Sequence, residues 1–392
     1  MKIKRVDSLS FKNFFVFVVV FVLYLAISEF SLHISGTKNI LNDLEYYASK
    51  TFTEEQWEDA EKFRKDIVSI GQRGVLIKDS IVYNYKPAQS ETINFNSHGF
   101  RGKEPEPKAE NEIRIAIFGA SRIWGNYLSD NKTVPALVEK ELNQKFPDKK
   151  ITVLNFGIEG YDLQRGTQAA KMFFKGLSFD IILFYFGFSD MNYAYLNGNM
   201  EWTPFDSNTP MSDESFEKMI HSMFPKGWVE SRKLYNLVLH SIKGELTKSF
   251  SLTETKKYKE IPQAQLETSE TFHKIFFKRM EETALFFNEK EVKTILIFPP
   301  VPQTKKNLSK LEREMTLHYE TLLPGYNKFV KRCIELVLSD MKTKNKNFLF
   351  VNQTEIFDHD YETVFFDGMH LTPAASVKTA LEISTILTDF LD

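Results

Sequence analysis

The spacing of apolar residues changes sharply along this chain, and each change predicts a different element. Residues 14–27 are unbroken apolar sequence rich in Val and Phe. Ser28 and Glu29 interrupt the run, and 30–34 is again mostly apolar. A bilayer core takes about 20 helical residues, so 14–34 predicts a transmembrane segment with Glu29 near the outer interface. Residues 41–70 have helical spacing with many charges, and Thr53 before Glu54-Glu55-Gln56 reads as a helix start. From Glu112 the pattern turns to short, nearly continuous apolar runs at 113–118, 151–155, 181–186, 294–298 and 348–351. Such runs suit strands covered on both faces. Residues 136–146, 163–174 and 267–289 have helical spacing. Thr133-Val134-Pro135 marks a helix start, and Thr372-Pro373 opens a last helix to about residue 391. Strands alternating with helices predict an α/β sandwich on a parallel sheet.

The third and fourth of these strands are far apart. Residues 192–292 contain no obvious strand; 204–210 is loop-like and 231–249 looks helical. That is too long for a simple crossover and predicts a helical insertion capping one end of the sheet. The chain then divides into a tail (1–13), the span (14–34), a stalk and lead-in segment (35–110) and the main domain (111–392).

Charge changes the picture at the N-terminus. Lys2, Lys4, Arg5 and Lys12 stand against one acid, Asp7, before the span. This predicts a cytoplasmic tail, with everything after residue 34 on the far side of the membrane. A cleaved signal peptide is the other reading, with Ala26-Ile27-Ser28 as a small-x-small site; both export the domain. The formal net charge of −2 gives no nucleic-acid footprint. Cys333 is the one cysteine, so no internal disulfide forms and a packed core must supply the stability. No Gly-x-Gly-x-x-Gly follows the first strand and there is no Walker lysine, which sets nucleotide binding aside.

In open parallel sheets, ligands bind outside the carboxyl ends of the strands. The first strand is followed by Gly119-Ala120-Ser121-Arg122-Ile123-Trp124-Gly125, the second by Asn155-Phe156-Gly157-Ile158-Glu159-Gly160. The third is followed by Gly187-Phe188-Ser189-Asp190, and Asp367-Gly368-Met369-His370 precedes the last helix. A serine hydroxyl needs a neighbouring base to become a nucleophile. Histidine can be that base at neutral pH, and a carboxylate one turn away can hold its tautomer. Glycines let backbone N–H groups approach a developing oxyanion. Ser121, His370 and Asp367 are therefore the candidate catalytic residues.

These blocks resemble those of the SGNH (GDSL-like) hydrolases, over residues 96–392 without the insertion. The first block matches Gly119, Ser121 and Gly125, with Ala120 at its usual aspartate. The second places its oxyanion glycine on Gly160, and the last matches Asp367 and His370. Asn96-Ser97-His98-Gly99-Phe100-Arg101-Gly102 also looks like the lead-in of membrane-anchored bacterial members. The third block departs: glycine-x-asparagine-aspartate is here Gly187-Phe188-Ser189-Asp190, leaving Ser189, or Asn192 nearby, to serve the oxyanion. Arg122 reads either as a surface charge or as a reader of an anionic or carbohydrate substrate.

The resemblance implies a three-layer α/β/α, flavodoxin-like sandwich and ester hydrolysis or acyl transfer without metal or organic cofactor. It implies acetylated cell-envelope polysaccharide, or another ester, as substrate for a membrane-tethered enzyme outside the cytoplasm. Two other functions remain open: a catalytically weak glycan-binding or scaffold protein, suggested by Ser189, and a lipid-active thioesterase or lysophospholipase, suggested by the Phe-rich cap.

Overall fold

The computed structural model describes residues 50–70, 75–76, 82–198, 263–340 and 348–391. The predicted span at 14–34 and most of the predicted cap lie outside the described residues. Among the described residues, no helix is long and apolar enough to cross a membrane.

Helix α1 (Glu54–Ile70) starts where Thr53 and Gln56 exchange side-chain to backbone hydrogen bonds at 3.0 and 3.3 Å, a capping box. Two small antiparallel ribbons follow: β1 (Val75–Leu76) with β2 (Tyr83–Asn84), and β3 (Ala88–Gln89) with β4 (Asn94–Phe95). The main domain then alternates: β5 (Glu112–Gly119), the short helix α2 (Ser121–Trp124), α3 (Val134–Lys145), β6 (Lys150–Gly157), α4 (Leu163–Leu177), β7 (Ile181–Tyr185), α5 (Phe188–Asn197), α6 (Gln263–Asn288), β8 (Lys293–Phe298), α7 (Lys310–Leu322), α8 (Tyr326–Asp340), β9 (Leu349–Asn352) and α9 (Pro373–Leu391).

The five long strands are parallel, in the spatial order β6-β5-β7-β8-β9. This is the flavodoxin-like order, reversing between the first strand, β5, and the third, β7. Both sheet faces are apolar because successive residues alternate sides. Ile115, Ile117, Ile181, Leu183, Ile295 and Ile297 pack with Val138 and Leu142 of α3 and Ile383 and Leu387 of α9. Ala116, Phe118, Ile182, Phe184, Leu296 and Phe298 face the other way, toward α4, α6 and α8. The result is helix layer, sheet, helix layer. Helix α6 belongs to the second layer: Phe272, Phe276, Met280, Ala284 and Phe287 are buried. The last part of the predicted cap is thus the crossover helix between β7 and β8.

The lead-in is part of the core. Val82, Tyr83, Tyr85, Ile93, Phe95 and Phe100 are buried in the same cluster as the sheet. The free edge of β6 is closed by α3. Val153 N–H donates to Glu139 at 2.7 Å, and Asn143 accepts from Ile151 N–H and donates to its C=O. These bonds occupy part of the edge that a further strand would otherwise pair with.

Candidate active site

Strand β5 ends at Gly119, and Ser121 opens α2 at the switch point of the sheet. Two contacts hold that turn. Ile158 N–H donates to Gly119 C=O at 3.0 Å. Gly157 lies so close that a Cβ there would sit 2.1 Å from Trp124 N, so only glycine fits. Arg101, fully buried, gathers the far end of α2. Its Nη1 donates to the carbonyls of Trp124 (2.8 Å) and Gly125 (2.7 Å), its Nη2 to Leu128, and its Nε to Asp130 at 2.7 Å. Cationic donors on the last carbonyls of a helix satisfy groups that have no partner within it.

The loop carrying Asp367 and His370 is anchored from beneath. Glu312 of α7, buried and paired with Lys305 at 2.7 Å, accepts the N–H groups of Val364 and Phe365. Asp367 Oδ1 then accepts the N–H groups of Met369 (3.0 Å) and His370 (2.7 Å). Its Oδ2 lies 2.6 Å from His370 Nδ1, and His370 Nε2 lies 2.8 Å from Ser121 Oγ. A carboxylate is an acceptor only, so the Nδ1 facing it carries the proton and Nε2 accepts from the serine hydroxyl. Burial opposes the Asp367 charge. The adjacent His370 and the two N–H bonds outweigh that and hold the carboxyl below its ordinary value.

Arg122 is buried rather than a surface charge. Its Nε donates to Met369 C=O at 2.6 Å and its Nη1 to Pro300 C=O. The guanidinium also lies 4.7 Å from the Phe188 ring centroid and 5.2 Å from that of Phe365. Bonds to two loop carbonyls and two flanking rings draw the side chain inward, where it ties the serine turn to the histidine loop.

Gly160, in the loop after β6, has φ +72°. The Tyr83 hydroxyl donates to Glu159 C=O. That carbonyl shares its planar peptide with the Gly160 N–H, so Tyr83 sets where this N–H points. Ser189 and Asn192 line a cavity of about 40 Å³ together with Ser121, Arg122, Phe188 and Met369. The Tyr326 hydroxyl donates to Asn192 Oδ1, leaving the amide nitrogen as the donor. Asp190 accepts the N–H groups of Leu163 (3.0 Å) and Gly187 (3.1 Å) and docks this loop on α4. Burial, with Asp162 adding to it, pushes its pKa up to about 7.

Neither Asn126 nor a role for Glu159 was evident from the sequence. Asn126 Nδ2 lies 2.9 Å from His370 Nε2. The Tyr85 hydroxyl donates to Glu159 Oε2 at 3.2 Å. Solvent reaches the Glu159 residue, while the protein packed around its carboxyl raises the pKa by desolvation, and His370, Tyr85 and Asn126 pull it back. The only sequence signal was position: Asn126 follows Gly125, and Glu159 precedes Gly160. Cys333 is buried and its thiol is pushed up by that burial, as a packed residue would be. A larger cavity of about 510 Å³ lies between the lead-in and the β6 edge, and Ser121, Asp367 and His370 are not among its lining residues. Among the described residues, no group of three or more His, Cys, Asp or Glu is placed to hold a metal ion.

No protein-family model matches the chain, and no curated protein matches it. Solved structures do. A gut microbial diltiazem-metabolizing enzyme aligns with 71% of this chain and 48% of its own, at 13% identity and a TM-score of 0.39. A member of the lipolytic G-D-S-L family from Veillonella parvula DSM 2008 aligns over 70% and 98%, at 11% identity and 0.37. An acetyl xylan esterase from Geobacillus stearothermophilus aligns over 68% and 91%, at 15% identity and 0.32. The solved structures to which this chain is similar thus include hydrolases of the G-D-S-L type, at a distance that leaves the chemistry of the site to its own geometry.

Proposed function

We propose that this chain is a serine esterase or O-acyltransferase of the SGNH type, acting on short-chain acyl esters outside the cytoplasm. One observation carries the reading: the continuous path from Ser121 Oγ through His370 to Asp367, at 2.8 and 2.6 Å. His370 Nε2 takes the hydroxyl proton as Oγ attacks the ester carbonyl. The Ser121 and Gly160 N–H groups, with the Asn192 amide, hold the oxyanion. The carbonyl re-forms, the C–O bond to the alcohol breaks, and His370 returns the proton to the leaving oxygen. Water or a second hydroxyl then attacks the acyl-enzyme, with His370 again as base. Asp367 orients the imidazole and stabilises its charged form.

The cavity beside Ser121 supports a short acyl group. At about 40 Å³ it has room for an acetyl-sized group, roughly three water-sized groups. The N-terminal apolar run and its basic flank support a membrane anchor and an extracytoplasmic domain. An acetylated envelope carbohydrate suits that location.

The test is hydrolysis of 4-nitrophenyl acetate by the full-length chain in detergent, beside Ser121→Ala. Turnover and fluorophosphonate labelling that both vanish in the variant are the expected result. Equal labelling of the two proteins would remove Ser121 from its role.

A further inference from the structure

His370 Nε2 has two neighbours at hydrogen-bond distance. One is the Ser121 hydroxyl at 2.8 Å; the other is Asn126 Nδ2 at 2.9 Å. The carboxyl of Glu159 stands beside this amide and accepts from its N–H. It interacts with the Asn126 side chain, feels the charge of His370, and is held at Oε2 by the Tyr85 hydroxyl. The Glu159 carbonyl is held by Tyr83, so the residue is fixed at both ends by the lead-in.

The nitrogen that must gain and lose a proton in each turnover therefore faces an amide. An amide offers a donor on one side and an acceptor on the other. While His370 is neutral, an Asn126 N–H can point at Nε2. Once Nε2 carries a proton, that arrangement sets two donors against each other. A half-turn of the amide presents Oδ1 to Nε2 instead; the Glu159 carboxyl, which accepts from the amide N–H while the ring is neutral, favours the charged ring.

Resting on the Ser121–His370 reading, we propose that Asn126 and Glu159 act as a pair that serves His370 in both of its protonation states. Asn126 exchanges donor for acceptor at Nε2, and Glu159 is the positioning residue that holds the amide N–H while the ring is neutral and whose charge favours the imidazolium. The other charged and titratable groups around His370 are Asp367 on its own loop, Arg122 against Asp367, and Arg101 and Tyr85 behind Glu159. Among the described residues, Glu159 is thus the carboxylate that acts on His370 besides Asp367, which bonds Nδ1. The lead-in, through Tyr83 and Tyr85, is what holds it there.

The experiment compares wild type, Glu159→Gln, Asn126→Leu and Tyr85→Phe as full-length chains, with two readouts. One is the acid limb of kcat/KM against pH on 4-nitrophenyl acetate. The other is NMR titration of the His370 imidazole after labelling with ring-¹³C histidine, assigned by loss of the signal in His370→Ala. In Glu159→Gln, both should move to lower pH by about half a unit to one unit, from loss of one charge at close range. Tyr85→Phe, which leaves the carboxylate in place but loosens it, should move them less. Asn126→Leu should lower kcat by about tenfold or more, with KM little changed.

Variants that fold and slow the reaction without moving the titration would reduce the pair to packing and overturn the proposal, as would a titration that moves to higher pH in Glu159→Gln. The NMR readout needs no turnover. If Ser121→Ala kept full activity, the esterase reading would fail while the titration still decided on the pair.

Discussion

Arg122 Nε donates to the carbonyl of Met369 at 2.6 Å, so the residue after Ser121 is bonded to the residue before His370. Two segments almost 250 positions apart in sequence are clamped by one buried side chain. Arg122→Met leaves the Met369 and Pro300 carbonyls without their donor, at about 1–3 kcal/mol each. The expected outcome is a melting temperature several degrees lower. A fall in kcat/KM of about tenfold or more should accompany it, because small displacements between reacting groups are costly. Arg122→Lys should not restore either value, since an ammonium cannot span both carbonyls in a fixed plane. Thermal melts and steady-state kinetics on the three proteins check this.

Ser121 and His370 act on the same proton, so their losses should not add. Each alanine substitution is expected to lower kcat by about 10⁴-fold or more, and the double variant to be no slower than the worse single. Rates that multiply in the double variant would mean the two residues work independently. Unchanged melting temperatures are needed for the comparison to hold.

Tyr326 holds the Asn192 amide by its oxygen, and Asn192 lines the same cavity as Ser121. The third oxyanion donor is therefore expected on Asn192 rather than Ser189. Asn192→Ala should cost about 10²-fold in kcat, as removal of a preorganised donor does, while Ser189→Ala costs less than about tenfold. Tyr326→Phe should reproduce part of the Asn192 defect. The reverse ranking of the first two would return the role to Ser189.

Two buried carboxyls act oppositely on stability as pH changes. The Asp190 pKa is raised to about 7, so between about 4 and 7 the folded state binds its proton more tightly than the unfolded chain does. Stability contributed by that group therefore falls as pH rises through this window, by up to about 1.4 kcal/mol per pH unit for one proton. Asp367 is lowered, so its contribution is present above about 4 and is lost as pH falls through its folded value. Melting temperature followed from pH 3 to pH 8 should show Asp190→Asn flattening the loss between about 4 and 7. Asp367→Asn should flatten the acid side instead.

The sequence was enough for everything that depends on neighbours along the chain. The apolar runs at β5, β6, β7 and β8 declare strands covered on both faces, because a run without polar alternation cannot lie on a half-wet sheet; the run at β9 also forms a strand, but at the sheet edge, where Leu349 and Asn352 are exposed. Thr53 and Thr372-Pro373 mark helix starts within a residue of α1 and α9, because caps and fixed φ angles are local. Asp367 and His370 were legible for the same reason: three residues apart, they share one turn. Ser121 could be joined to them only through the resemblance to a family's pattern of blocks; its 2.8 Å approach to His370 comes from the order of strands. Tertiary structure alone decided the rest. Arg122 looked like a surface charge because nothing nearby in sequence can accept its hydrogens; its acceptors lie on loops after β8 and before α9. The lead-in looked like a stalk because its aromatic residues have no helical or strand period, and their partners are Phe156, Tyr161 and Glu159 across the fold. Asn126 and Glu159 sit beside glycines in two different blocks, and only the close approach of β6 to α2 at Gly157 brings them to the same histidine.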